Sequence, residues 1–270
     1  PLATGEKLSY AAPALTLDAG HNINLKAAAI SSSGGSAEVY AGNDIVSSTV
    51  ATLNKKRIVS HTLSKQDHGT LKPNSYTDKL YDTTTTQLTD IGSAIKAKGN
   101  LNMVASNAIN ATAATLAADK HVGLSASVVT LDAGRTVDDY LRTSFEDYSH
   151  GYTRSDAVTT TSKQTLDVTH GDSSMGTQII GDSVGVYAKG IFSKSSTIFG
   201  QNDVDLVASA GSINLAAASD NYLDSHKSKT KSFYDLDFSW RNGISFGTTS
   251  QIETIKGDKH AYTGSSVTSL

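Results

Sequence analysis

Apolar and polar positions alternate in short runs along this chain, and the runs recur. Ile95 to Ser106 (IKAKGNLNMVAS) is one apolar residue, a polar link, and then apolar-x-apolar-x-Ala-Ser. Shifted by 21 residues, the template reads Leu116 to Ser127, with Val122, Leu124 and Ala126 in place of Leu101, Met103 and Ala105. It returns at Ile198 to Ser209 with Val204, Leu206 and Ala208, and in part as Val184-Gly-Val186-Tyr-Ala188, 20 residues earlier. A second motif, Leu17 to Ile23 (LDAGHNI), recurs as Leu131 to Val137 (LDAGRTV). Looser copies lie at Val39 to Ile45 and, with one extra residue, at Leu206 to Ile213. Period-2 alternation marks half-buried strands, and Gly, Asn and Asp supply the positive φ that sharp bends need.

A period of 20 to 22 residues built from such strands predicts an all-β chain, a right-handed parallel β-helix solenoid in which each turn stacks on the last. Turns about 4.8 Å apart place Leu101, Met103, Val122, Leu124, Val204 and Leu206 in inward ladders. Ala105, Ala126 and Ala208 fill crowded corners. A buried Val or Leu is worth about 1.5–3 kcal/mol, but one turn cannot bury its own inner face, so stability is a sum over neighbouring turns. A β-sandwich also explains alternation and turns, but not a self-match with Ala-Ser in register. The Leu-x-x-Leu-x-Leu signature of leucine-rich repeats is missing.

The repeat is interrupted three times. Coils are expected over about 8–46, 93–137 and 179–218, within a single β-helical fragment spanning 1–270. The intervening stretches, about 47–92, 138–178 and 219–262, are polar and rich in Thr, Ser, Lys, Asp and Tyr. They are too long for plain loops and are predicted to be extruded β-hairpin insertions. Phe233 to Phe246 alternates around Asn242-Gly243, a two-residue turn signal. Disorder is the alternative for Thr83–Thr86 and Thr159–Thr161, and a short helix for residues 47–60.

Composition narrows the chemistry. The 270 residues carry a net charge of -3 and no cysteine, which excludes disulfides, thiolate metal sites and a cysteine nucleophile. The near-neutral balance argues against a nucleic-acid partner, and no run approaches the roughly 20 apolar residues of a membrane-spanning helix. Pro1 is not an initiator Met, and residues 262–270 break off as if beginning another element, so the chain is expected to be an internal piece of a longer polypeptide. Asp138-Asp139 and Asp203/Asp205 are the close acidic pairs. Two carboxylates converging in space are what glycoside cleavage needs, so the rival function is a β-helical polysaccharide-acting enzyme, a lyase, hydrolase or tailspike-like depolymerase. The eight histidines show no H-x-x-x-H spacing, and no metal or cofactor is expected. Lys227, Lys229 and Lys231, near Tyr222, Phe233, Tyr234 and Trp240, are the candidate contact residues for glycan, lipid head group or protein. The plainer reading is a solvated hairpin with its aromatics packed back on the coil.

Val184 to Gly190 (VGVYAKG), then Ile198 to Ser219 (IFGQNDVDLVASAGSINLAAAS) and a Ser/Lys-rich stretch, resemble the second haemagglutinin-type repeat region of filamentous haemagglutinins. The same region occurs in contact-dependent growth inhibition proteins. The resemblance implies a segment of a very long Gram-negative exoprotein, exported by two-partner secretion through an outer-membrane transporter. Such proteins form β-helical surface filaments for adhesion, or for delivering a C-terminal toxin to a neighbouring cell. It implies a secreted or cell-surface location, a target- or host-cell surface (protein, glycan or outer membrane) as partner, and no catalytic residue. The absence of cysteine agrees with export of an unfolded chain.

Overall fold

The computed structural model describes residues 15–68, 74–151, 157–239 and 243–269. The alternating runs become strands, and among the described residues the strands wind into six rungs of three faces each. Rung one is β1 (Leu15–Ala19), β2 (Ile23–Lys26) and β3 (Ala29–Ser32). Rung two is β4 (Ala37–Ala41) and β5 (Asp44–Ser48), a hairpin of β6 (Val50–Gln66) and β7 (Asn74–Ile91), then β8 (Ala94–Ala97). Rung three is β9 (Leu101–Ala105), β10 (Ala108–Thr112) and β11 (Thr115–Ala118). Rung four is β12 (His121–Ser125) and β13 (Val128–Asp132), a hairpin of β14 (Gly134–Gly151) and β15 (Ala157–Met175), then the start of β16 (Gln178–Ala188). Rung five takes the rest of β16, β17 (Gly190–Lys194) and the start of β18 (Thr197–Ala208). Rung six takes the rest of β18, β19 (Ile213–Ala216), a hairpin of β20 (Ala218–Ser239) and β21 (Gly243–Thr263), and β22 (Ser266–Ser269).

All rung-to-rung pairings are parallel, as in a parallel β-helix, and they stack like on like. On the first face Leu17, Val39, Met103, Leu124, Val186 and Leu206 are successive register partners. On the second run Ile23, Ile45, Ile109, Val129, Ile191 and Ile213. On the third run Ile30, Ile95, Leu116, Ile179, Ile198 and Val267. The members in the middle rungs are fully buried, whereas Ile213 and Val267 in rung six remain 43% and 38% exposed. That is the nearest-neighbour burial expected of a solenoid.

The corner between the second and third faces has a two-rung rhythm. In rungs one, three and five it is tight, and Ala27, Ala113 and Ser195 take positive φ of 46°, 49° and 53°. Their N–H groups donate to the carbonyls of Ser48, Asp132 and Ala216 one rung on. In rungs two, four and six the chain leaves at this corner as a hairpin and returns through Gly92-Ser93, Gly176-Thr177 and Gly264-Ser265. Each returning hydroxyl accepts the N–H of the residue after the left-handed one: Ala28 at 3.1 Å, Ala114 at 3.3 Å and Ser196 at 3.2 Å. A Cβ at Gly92 or Gly176 would overlap the carbonyl oxygen of Ala113 or Ser195 in the next rung. Glycine is therefore needed there for close approach of two backbones.

The three hairpins do not stand apart. β7 pairs with β14 and β15 with β20, both antiparallel, so the hairpins merge into one six-stranded sheet in the order β21-β20-β15-β14-β7-β6. The spacing explains why. Two rungs advance the rod by about 9.6 Å, and two hairpin strands occupy the same width, because both spacings are about 4.8 Å. A hairpin on every second rung therefore tiles a lateral sheet without gap or overlap. Leu53, Leu88, Val137, Asp172, Asn221 and His260 form one row across it. In that row positions 53, 137 and 221 are separated by a constant step of 84 residues, which is the true structural repeat.

Two expectations are corrected. Residues 47–60 are not helical: from Val50 they belong to β6, whose exposed side chains lie along a paired strand rather than one face of a helix. Leu131 to Val137 is not equivalent to Leu17 to Ile23. The earlier copy turns from the first face to the second, whereas Gly134 to Val137 already belong to β14, with Val137 against Leu88 of the preceding hairpin. Asn242 of the expected Asn242-Gly243 turn lies outside the described residues, while Gly243 pairs with Ser239. The polar runs Thr83–Thr86 and Thr159–Thr161 lie in β7 and β15.

Candidate interaction surface

The lateral sheet carries most of the described charged and aromatic residues, and the pleat sorts them onto two faces. Lys227, Lys229 and Lys231 alternate along β20 and share one face, about 6.8 Å apart. Their cross-strand neighbours are Leu166, Gln164 and Ser162 on β15, and Thr254, Ile252 and Ser250 on β21. No carboxylate stands among them, and none of the three lysines has an ion-pair partner among the described residues. Lys227 and Lys229 border a cleft of about 460 Å³ whose apolar lining is Leu80, Phe145 and Leu166. The result is an unneutralised cationic stripe beside an apolar strip.

Tyr222 lies five residues before Lys227 on the same strand, so it points to the opposite face. There it borders a second cleft of about 460 Å³ with Tyr140, Asp138, Gln87 and Gly171. Gly171 leaves the gap between Asp138 and Tyr222 open; a Cβ would sit in ordinary contact, 3.8 Å from the Tyr222 ring. The structure thus separates Tyr222 from the lysines with which sequence proximity grouped it. Phe233 and Tyr234 pair through their backbones with Thr160 and Thr159, and Trp240 lies outside the described residues.

The junctions between hairpins are stitched by polar side chains. The Tyr81 hydroxyl donates to Glu146 Oε1 at 2.6 Å, Arg142 sits 4.9 Å over the Tyr81 ring, and Gln87 donates to Asp138 at 2.9 Å. All three join β7 to β14. The Tyr81 hydrogen bond holds the Glu146 carboxyl below its ordinary range, with help from Lys79, while Glu146 pushes the Tyr81 phenol up. His226 reaches Asp167 between β20 and β15. Within hairpins, Arg57 pairs with Asp82 and holds its carboxyl low, His61 meets Asp78 at 2.6 Å and His170 meets Asp139 at 2.6 Å.

The acidic pairs do not form a converging site. Asp138 accepts from Gln87 while Asp139, the next residue along β14, turns to His170 on the other face. Asp203 and Asp205 are exposed on β18. Among the described residues no three His, Cys, Asp or Glu side chains are grouped to hold a metal ion.

Residues missed by sequence reasoning are the Gly-Ser/Thr pairs at 92–93, 176–177 and 264–265. Their signal was present as a Gly-hydroxyl-x-Ile/Val motif closing each polar stretch.

No curated protein matches the chain. The Hemagglutinin repeat family matches residues 74–153. This span begins with the first residue of β7 and ends two residues beyond β14. It therefore holds one two-rung unit together with the two arms that pair across a hairpin junction. Such repeats belong to proteins that are in general secreted or displayed at the cell surface, and are typically not enzymes. Within this all-β parallel coil, residues 74–153 are thus similar to a hemagglutinin repeat.

Proposed function

We propose that the chain is a non-enzymatic structural and interaction segment of a large exported surface protein, an adhesin or a contact-dependent toxin carrier. In this reading an outer-membrane transporter threads it out unfolded, and it forms rung by rung into a surface filament. The rod supplies length, since each rung needs only its neighbours. The lateral sheet supplies recognition of a neighbouring or host cell. The observation that carries this reading is the face bearing Lys227, Lys229 and Lys231, whose charges no neighbouring carboxylate neutralises. Unpaired ammoniums beside exposed apolar side chains suit an anionic, partly apolar surface.

The test is binding of fluorescently labelled chain to intact bacterial and host cells. Replacing all three lysines by serine is expected to lower binding several-fold with unchanged circular dichroism. Binding that is insensitive to the triple replacement and to salt would contradict the role given to these residues. Cleavage of an acidic polysaccharide by the purified chain would contradict the non-enzymatic reading.

A further inference from the structure

On the face of the lateral sheet turned away from Lys227, Lys229 and Lys231, two neighbouring rows hold unlike side chains. Asp138, Gly171 and Tyr222 form one row, and Tyr140, Thr169 and Asp224 the next. The two junctions between hairpins are filled differently at the same repeat position. Where β7 meets β14, Gln87 faces Asp138 and its amide donates to that carboxylate at 2.9 Å. Where β15 meets β20, one step of 84 residues on, Gly171 faces Tyr222. The repeat thus has a bridging side chain at one junction and none at the other, and the second cleft of about 460 Å³ opens at the vacant position. Tyr140 and Tyr222 stand at its two ends, on the strands either side of β15, about 10 Å apart across the sheet and about 7 Å along it. The Tyr222 ring leans over Gly171 yet is 42% exposed. Neither tyrosine hydroxyl has a hydrogen-bond partner among the described residues.

We propose that this cleft binds one sugar residue of a neutral glycan. Tyr140 and Tyr222 are its aromatic walls, Gly171 and Thr169 its floor, and Asn54, Gln87 and Asp138 its contacts to hydroxyls. A pyranose ring is apolar on its C–H faces and edged by hydroxyls that each donate and accept. Tyrosine matches this with an apolar ring and a polar tip. The other polar groups are mixed in the same way. The Gln87 carbonyl and the second oxygen of Asp138 are left to accept, and the Asn54 amide both donates and accepts. Charge selects among ligands. Asp138, with Asp224 in the next row, repels an anion, while Lys259, directly opposite Tyr222 on β21, repels a cation. A ligand without net charge meets neither penalty. The site lies on the opposite face from the lysine stripe and needs none of its charges.

The test is titration of the purified chain with neutral gluco-, galacto- and manno-configured oligosaccharides, read by saturation-transfer NMR and calorimetry. At least one series is expected to bind. Gly171→Gln, which gives the second junction the side chain of the first, and Tyr222→Ser should each weaken that binding by about ten-fold or more, as loss of a central aromatic contact does. A Cβ at position 171 meets only ordinary contacts, so Gly171→Gln should fold, and unchanged circular dichroism checks it. The exposed Tyr222 gives a second variant that does not touch the backbone. High salt and the triple Lys227→Ser, Lys229→Ser, Lys231→Ser chain should leave the affinity as it is. Failure of every sugar to bind, equal affinity of the Gly171→Gln and unaltered chains, or a loss in the triple lysine variant would overturn the proposal. So would tighter binding of tetramethylammonium or of sulfated dextran at this cleft.

Discussion

Gly92→Ala tests the two-rung corner directly. The added Cβ would lie 2.5 Å from the Ala113 carbonyl carbon and closer still to its oxygen, where ordinary contact is 3.4–4 Å. Neither neighbour is a flexible side chain; both are backbone atoms of the next rung. Relief therefore requires rungs two and three to part by about 1 Å at this corner. That movement stretches the Thr115 N–H bond to Ser93 O, now 2.9 Å, and pulls Ser93 away from the Ala28 N–H. Overpacking costs about 1–3 kcal/mol, and each buried hydrogen bond opened adds about 1. A loss of about 2–5 kcal/mol lowers the melting temperature by roughly 5–15 °C in a chain of this size. Circular dichroism melting measures it, and hydrogen exchange should show faster exchange in residues 28–32 and 111–118. Gly20→Ala, with nothing within 4 Å of the added carbon, is the matched control. Equal melting temperatures for the two variants would refute the corner argument.

Other outcomes are equally specific. Leu124→Asp places a carboxylate at a fully buried position between Met103 and Val186 and should cost several kcal/mol; an unchanged melt would mean that the position is not interior. Thr177→Val keeps the shape but leaves the buried Ala114 N–H without its acceptor, a loss of about 1–3 kcal/mol by denaturant titration; Ser173→Ala, on the exposed sheet, should be neutral. Acid should loosen the lateral sheet before the rod. Glu146 and Asp82 are held low in the folded chain by Tyr81 and Arg57; for Asp220 burial opposes, but hydrogen bonds from Thr263 and Ser174 prevail. Carboxyls with a depressed folded pKa stabilise above their unfolded pKa and lose that contribution as pH falls through the folded value. Exchange protection in β7 and β14 should therefore hold down to about pH 4 and fall below it, while β9 and β12 stay protected; equal loss in rod and sheet would contradict this.

The rod was legible because its signal is side-chain identity. Leu101, Val122 and Val204, or Met103, Leu124 and Leu206, must all be apolar to stack, so the repeat survives in the letters. The lateral sheet is different. β7 and β14 pair through backbone groups, and Thr84 against Leu141 or Thr85 against Tyr140 serves as well as any other pair, so no residue type announces which hairpin lies beside which. The 84-residue step was nonetheless marked by Gly92-Ser93 and Gly176-Thr177, glycines that cannot carry a side chain against the next rung. The grouping of Tyr222 with the lysines failed for a simpler reason. An odd separation along a continuous strand reverses the face, so nearness in sequence became opposition in space.

The claim on which the account depends is that separate hairpins join side by side because two strands span the height of two rungs. The most direct measurement is an intramolecular disulfide in the Leu88→Cys/Val137→Cys chain, compared with Leu53→Cys/Leu88→Cys inside one hairpin. Both should close in the monomer and migrate faster on a non-reducing gel. If the pair within one hairpin closes while the Leu88/Val137 pair stays reduced or links only between molecules, the hairpins stand apart and the tiling is wrong.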